Sequence, residues 1–205
     1  MKQFILASQS PRRRELLELA GVEFTTHVSK ASEETELTSP AEIVEELAAR
    51  KAQSVFILHP SDIVLGADTM VALGDKIFGK PKSKGEAFDM LSELSGKVHQ
   101  VYTGCAFAYA EKSGLAKLST HVERTDVYVG EMSPEEIRAY MALTDNATGT
   151  EISVWQDKAG GYGIQGPFAA YIEKIDGDYC NVVGLPLYYT VHELKRIRAQ
   201  EEAGE

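Results

Sequence analysis

The sequence predicts an α/β fold, and three observations carry that expectation. Short apolar runs of strand type alternate with amphipathic stretches of helical period. Three helical stretches open on serine followed by proline (Ser10-Pro11, Ser39-Pro40 and Ser133-Pro134), the order of an N-cap and a first helical residue. Residues 62–72 form a nearly continuous apolar run, the pattern of a central strand covered on both faces. The 205 residues suffice for one α/β domain or two small lobes sharing a sheet, and 43% hydrophobic content supports a sizeable core.

In order, Phe4-Ile5-Leu6-Ala7 reads as a short buried strand. A helix follows from Pro11, capped by Ser10, with Gly21 just past its end and Leu16, Leu17, Leu19 and Ala20 as its apolar face. Residues 24–28 form a second strand, and the acidic patch Ser32-Glu33-Glu34-Thr35-Glu36 comes next. Ser39-Pro40-Ala41-Glu42 supplies N-cap, proline and capping-box glutamate for a helix to about Val55. Leu73-Gly74-Asp75-Lys76 turns the chain after the central strand. Ser83 and Glu86 open a helix burying Ala87, Met90, Leu91 and Leu94. Residues 98–110 and 115–129 are long strands joined by a hairpin at Glu111-Lys112-Ser113-Gly114. Ser133 caps a helix to about Leu143, and residues 144–156 read as a mobile loop. Residues 168–175 and 178–183 read as strands paired around Asp176-Gly177. Gly184-Leu185-Pro186 leads into a last helix to about Arg198, and 199–205 is expected to fray.

Charge and cysteines narrow the function classes. The 21 basic and 31 acidic residues give a net charge of −10, which argues against general binding to nucleic acid or anionic membranes. Cys105 and Cys180 are far apart in apolar segments, so core thiols are expected, not a disulfide or zinc site. The first apolar run is four residues long, with no leader or spanning segment read there, and a cytoplasmic protein is expected. The glycine-rich phosphate-loop motif, zinc-ligand spacing and the G-x-S-x-G elbow are not found.

Several residues do not fit a purely structural reading. Arg12, Arg13 and Arg14 crowd the positive end of the first helix, each misplaced by about 0.3–1 kcal/mol when exposed. A bound anion would reverse that sign; a solvated basic helix start is the plain alternative. Lys51 falls on the buried stripe of Val44, Ala48 and Val55, where it either snorkels to water or reaches an anion. Asp68 interrupts the central strand, so it is expected to be paired, metal-bound or lining a cleft. His99 and Thr103 lie in a strand, where a lone histidine is more often structural. Residues 157–166 hold Gly160, Gly161, Gly163 and Gly166, letting backbone approach a ligand, with Gln165 offering donor and acceptor. Arg12, Arg13, Lys51 and Lys80 thus form a cationic set, and Asp68 with one or more of Glu33, Glu34 and Glu36 an anionic one. Together they suit a Mg²⁺-assisted reaction on a polyphosphate.

The ordered motifs also resemble those of the Maf proteins over nearly the whole length. They are Ile5-Leu6-Ala7-Ser8-Gln9-Ser10-Pro11-Arg12-Arg13, Gly66-Ala67-Asp68-Thr69-Met70-Val71, Gly79-Lys80-Pro81, and Leu94-Ser95-Gly96 with His99 and Thr103-Gly104. Asp157-Lys158-Ala159-Gly160, Tyr162-Gly163-Ile164-Gln165-Gly166, Gly177-Asp178-Tyr179 and Gly184-Leu185-Pro186 complete the set. The resemblance implies a fold like that of the inosine triphosphate pyrophosphatases: an elongated mixed sheet with flanking helices, in two lobes around a cleft, as one domain over residues 1–198. It implies hydrolysis of a nucleoside triphosphate to the monophosphate and pyrophosphate with a divalent cation, Mg²⁺ or Mn²⁺, in a homodimer. It makes Asp68 the proton acceptor, and it places Ser8, Arg12, Arg13, Lys51 and Lys80 on phosphate. Arg12, Thr69 and Gln165 then choose the base, and Glu33 and Asp68 hold the metal. The Tyr-Gly-Ile-Gln-Gly form is similar to the branch acting on dTTP and UTP; a branch acting on 7-methyl-GTP is the nearest alternative. The resemblance also implies a housecleaning role and a link to cell-division arrest, and a nucleotide-sensing regulator is the non-enzymatic alternative. Two departures stand out: a longer connection from Tyr140 to Asp157, and Ser32-Glu33 where the family has an acidic pair.

Overall fold

The computed structural model describes residues 2–145 and 152–202. The strands are β1 (Phe4–Leu6), β2 (Thr25–Thr26), β3 (Ile63–Leu73), β4 (Lys76–Phe78), β5 (Val98–Ala110), β6 (Ala116–Val129), β7 (Thr144–Asp145), β8 (Ile152–Ser153) and β9 (Ile172–Asp176). The α-helices are α1 (Pro11–Leu19), α2 (Pro40–Phe56), α3 (Lys84–Leu94), α4 (Pro134–Met141), α5 (Tyr179–Val183) and α6 (Leu187–Glu202). Seven strands make one mixed sheet in the order β2-β1-β3-β5-β6-β9, with β4 on β3. The β1 strand runs parallel to both β2 and β3, whereas β4 and β9 are antiparallel to β3 and β6. No described helix is long and apolar enough to cross a membrane.

The chain divides into two compact units. The first comprises Met1–Asp68, Thr103–Glu123 and Gly184–Glu205; the second comprises Thr69–Tyr102 and Arg124–Val183. In the first, Ile5, Ala7, Val55 and Val64 pack together, and Ala48 and Ala52 meet Ala106 and Ala108. In the second, α3 and α4 close over Val71, Phe78, Val101, Val127 and Phe168, all buried. Burying each such large side chain contributes about 1.5–3 kcal/mol.

Local signals read well where a cap decided the element. Ser83 Oγ accepts from the Glu86 N–H at 3.1 Å, and Ser133 with Glu136 forms a full capping box. Ser39 and Ser10 stand at N-cap positions in extended conformation without a side-chain capping bond, so the capping box expected at Glu42 does not form.

Four further expectations are corrected. The apolar face of α1 is Leu16 and Leu17 alone, while Leu19 is exposed. Residues 168–171 belong to a 3₁₀ turn, Pro167–Tyr171, because Pro167 cannot donate to a ladder and Phe168 inserts among Tyr140, Tyr162 and Tyr171. Residues 179–183 are helical, and β9 pairs with β6 instead. Asp178 Oδ1 accepts from the Cys180 N–H at 2.7 Å, and the buried Asn181 amide donates to Val101 O and Thr125 Oγ1. These ties outweigh the strand preference of Val182 and Val183. Finally, the ends of the expected loop at 144–156 are ordered: β7 pairs with β8, and Val154 and Trp155 are buried. Its middle, 146–151, lies outside the described residues, as do 203–205; α6 itself continues to Glu202.

Candidate active site

Six of the sequence-selected residues lie in the first unit: Ser8, Arg12, Arg13, Glu33, Lys51 and Asp68. The turn after β1 is held open by its own side chains. The Ala7 N–H still donates to Leu65 O at 2.8 Å, after which the chain leaves the ladder. The Ser8 hydroxyl, nearly buried, accepts from the Ser10 N–H at 3.2 Å and from Arg13 Nη1 at 3.0 Å. Arg13 Nε donates to Gly184 O at 2.8 Å, so its guanidinium is fixed from two sides. Burial pushes the Arg13 guanidinium below its ordinary value, and the Asp68 carboxylate works against that shift. The first turn of α1 has no acidic residue to satisfy its positive end.

The second part of the site depends on how closely α2 lies on the sheet. A methyl on Gly66 would stand 2.2 Å from Ala48 O, and one on Gly104 would stand 2.2 Å from Val44 O. Only glycine permits this backbone-to-backbone approach. Asp68 lies two residues beyond Gly66 on β3 and therefore points to the same face. There Lys51 Nζ donates to Asp68 Oδ1 at 2.5 Å and pairs with Glu33 Oε1 at 2.6 Å. The Lys51 and Asp68 side chains are each only 13% exposed, which makes this more than a surface ion pair; Glu33 is 66% exposed. Lys51 thus neither snorkels freely nor awaits an anion alone: it gathers two carboxylates.

The second unit holds Thr69, Lys80 and Gln165. Thr69 follows Asp68 directly in β3, and Lys80 is exposed after β4. The Gly160 N–H donates to Gly79 O at 3.1 Å, joining the Lys80 segment to the glycine-rich one. Gly160 and Gly161 have φ of 70° and 76°, which glycine adopts without strain. Gly163 has a different cause: a methyl there would meet Lys158 Cε at 2.8 Å. Lys158 is nearly buried and pairs with Asp157 at 2.6 Å. Tyr162 is anchored by its hydroxyl, 2.6 Å from His99 Nε2, and Gln165 is exposed at the end of this turn. Burial holds the His99 imidazole down to about 4, with Asp126 opposing. His99 and Lys158 are therefore supports of this turn: His99, read from sequence as structural, acts through Tyr162, 63 positions away, whereas Lys158, given no role from sequence, acts on its neighbours Asp157 and Gly163.

Chemically, the first unit offers an electropositive helix end beside a carboxylate pair organised around a cation. Oxygen donors of this kind suit Mg²⁺ or Mn²⁺ and not a thiolate-seeking metal. Among the described residues no group of three or more His, Cys, Asp or Glu could hold a metal alone. Glu33 and Asp68 fit a metal that takes its other ligands from phosphate and water.

The family profile described as Maf-like protein matches residues 3–197. A dTTP/UTP pyrophosphatase of Bacillus cytotoxicus is 49% identical over 197 residues, covering 96% of each chain. One of Bacillus anthracis is 47% identical over the same length, with the same coverage. Among solved structures, a nucleoside-triphosphatase / dITP/XTP pyrophosphatase from Mycobacterium abscessus matches 78% of this chain and 85% of its own, at 12% identity and a TM-score of 0.37.

Proposed function

The chain belongs to the Maf family, and we propose that it hydrolyses dTTP and UTP to the monophosphate and pyrophosphate. The single observation that carries the chemistry is the Lys51–Asp68 contact of 2.5 Å, placed with Arg13 in one unit. The base preference rests on relatives named dTTP/UTP pyrophosphatase at 47–49% identity.

In this reading the triphosphate lies against the N-terminus of α1, Ser8, Arg12, Arg13 and Lys51, all in the first unit. Backbone N–H groups and guanidinium forks supply the donors. Asp68 takes a proton from water as the water oxygen bonds to the α-phosphorus. The bond from that phosphorus to the bridging oxygen breaks, and pyrophosphate leaves with the electron pair. Arginine and lysine side chains stabilise the charge that develops on it. Lys51 holds Asp68 in place before substrate arrives and turns to phosphate afterwards, which leaves the carboxylate able to accept the proton. A Mg²⁺ or Mn²⁺ ion held by Glu33 and Asp68 would neutralise phosphate charge and acidify water. The Gln165 amide matches the imide edge of thymine or uracil, which presents both acceptor and donor, and Thr69 of the same unit is the second base contact. A cytoplasmic homodimer completes the proposal, with light scattering as its check.

The test is product analysis in ¹⁸O-labelled water across dTTP, UTP, CTP, 7-methyl-GTP and the common purine triphosphates. The reading expects equal monophosphate and pyrophosphate, with label in the monophosphate and fastest release from dTTP and UTP. Orthophosphate as the first product would overturn the chemistry. A preference for 7-methyl-GTP would overturn the base assignment. Binding without turnover would favour a nucleotide-sensing regulator.

A further inference from the structure

Glu33 is mostly exposed, yet its carboxylate meets a nearly buried ammonium. A single exposed carboxylate contributes too little to hold a loop against its own chain entropy. The segment between β2 and α2 has no regular structure of its own: the Ala31, Glu34 and Leu37 N–H groups donate within it to the Ser29, Ser32 and Thr35 hydroxyls, and further ties run to α2. Ser29 Oγ is 2.8 Å from Ser54 Oγ and fixes the start of the segment. Thr35 Oγ1 donates to Glu46 Oε2 at 2.6 Å and fixes its far side. Between them, Arg50 Nη1 donates to Glu34 O at 2.5 Å and to Ser32 O at 3.4 Å. These are the peptide carbonyls on either side of Glu33. Arg50 Nη2 in turn is held by Glu46 Oε1, one helical turn earlier.

We propose that Arg50, braced by Glu46, is a positioning residue that sets the Glu33 carboxylate on Lys51 and Asp68. An ordinary helix-surface pair would explain the Glu46–Arg50 contact but not the grip on two carbonyls flanking Glu33. A guanidinium presents a planar fork that can serve carbonyls on one side and a carboxylate on the other. An ammonium at the same place lacks that fork. The metal-binding part of this inference rests on the proposed role of Glu33; the positioning part does not.

The test uses the full chain with Arg50→Met, Arg50→Lys, Glu33→Gln and the Arg50→Met/Glu33→Gln double variant. Two readouts are taken: amide hydrogen exchange over residues 31–37, and Mn²⁺ affinity from the spin-resonance signal of free Mn²⁺. Arg50→Met should speed exchange in that segment at least about tenfold while leaving β3 and α2 amides unchanged. Arg50→Lys should rescue only part of that protection. Mn²⁺ affinity should fall several-fold in Arg50→Met and fall no further when Arg50→Met is added to Glu33→Gln. Unchanged exchange in Arg50→Met would overturn the proposal, as would additive losses in the double variant. Faster exchange with Mn²⁺ affinity insensitive to both Glu33→Gln and Arg50→Met would uphold the positioning role and remove Glu33 from the metal.

Discussion

Gly66 faces the carbonyl oxygen of Ala48 so closely that a methyl group there would stand 2.2 Å away. That approach brings α2 onto β3 at the depth at which Lys51 reaches Asp68. Gly66→Ala must therefore push the helix outward. The expected cost is about 1–3 kcal/mol in urea unfolding, the usual range for overpacking. Turnover should fall as well, because the shift separates Lys51 from Asp68. A variant within about 0.5 kcal/mol of wild type would show that the helix yields easily.

Lys51→Met keeps the aliphatic stem and removes the ammonium. Asp68 then stays largely buried without its partner, which should cost about 1–3 kcal/mol by thermal or urea unfolding. Turnover should drop roughly 10²–10³-fold, the usual loss on removing one preorganised donor to developing negative charge. Lys51→Arg should recover stability better than turnover, since its fork cannot reproduce the single Nζ position.

Much of the fold could be read from local chemistry, and the limits of that reading are physical. Ser83 and Ser133 announced α3 and α4 because a cap needs only its own next three residues. The segment after Gly177 reads locally as a hairpin strand, because Asp176-Gly177 and Val182-Val183 are good signals for one, yet it is helical. What decides it is Asn181 bonding to Val101 and Thr125, contacts between residues about 80 and 56 positions apart in sequence. The site shows the same division. Lys51 and Asp68 each stood out as a charge on an apolar background, yet their meeting depends on Gly66 and Gly104 fitting α2. Arg50 and Glu46 carry no such signal, reading alone as a surface pair, whereas His99 reads as a structural strand histidine and Lys158 stands in the Asp157-Lys158-Ala159-Gly160 motif without a role.

His99 makes folding stability depend on pH in a defined window. Burial lowers its folded value from 6.5 to about 4, so below 6.5 the unfolded chain binds a proton that the native chain does not. Stability should therefore be complete above pH 6.5 and be lost as pH falls toward 4. The loss from this group should approach about 3 kcal/mol. Urea unfolding at pH 7 and pH 4.5 measures it, and His99→Gln should flatten the slope. An equal slope in that variant would assign the pH dependence to other groups.

Gly163→Ala tests the support of the glycine-rich turn. The new methyl would meet Lys158 Cε and Cδ at 2.8 and 2.9 Å and displace a nearly buried side chain paired with Asp157. Gln165 is two residues on, so the ratio of kcat/KM for dTTP over CTP should fall several-fold while kcat on dTTP changes less. An unchanged ratio would mean that the turn does not set base choice.

The most direct measurement is turnover of dTTP by Asp68→Asn, on protein whose thermal unfolding and circular dichroism match wild type. The amide keeps the size of the carboxylate and removes its capacity to accept a proton. With Asp68 as the base, pyrophosphate release should fall about 10²–10⁴-fold with dTTP binding retained. Turnover within about threefold of wild type, on folded protein, would contradict the assignment and with it the account of the Lys51–Asp68 pair.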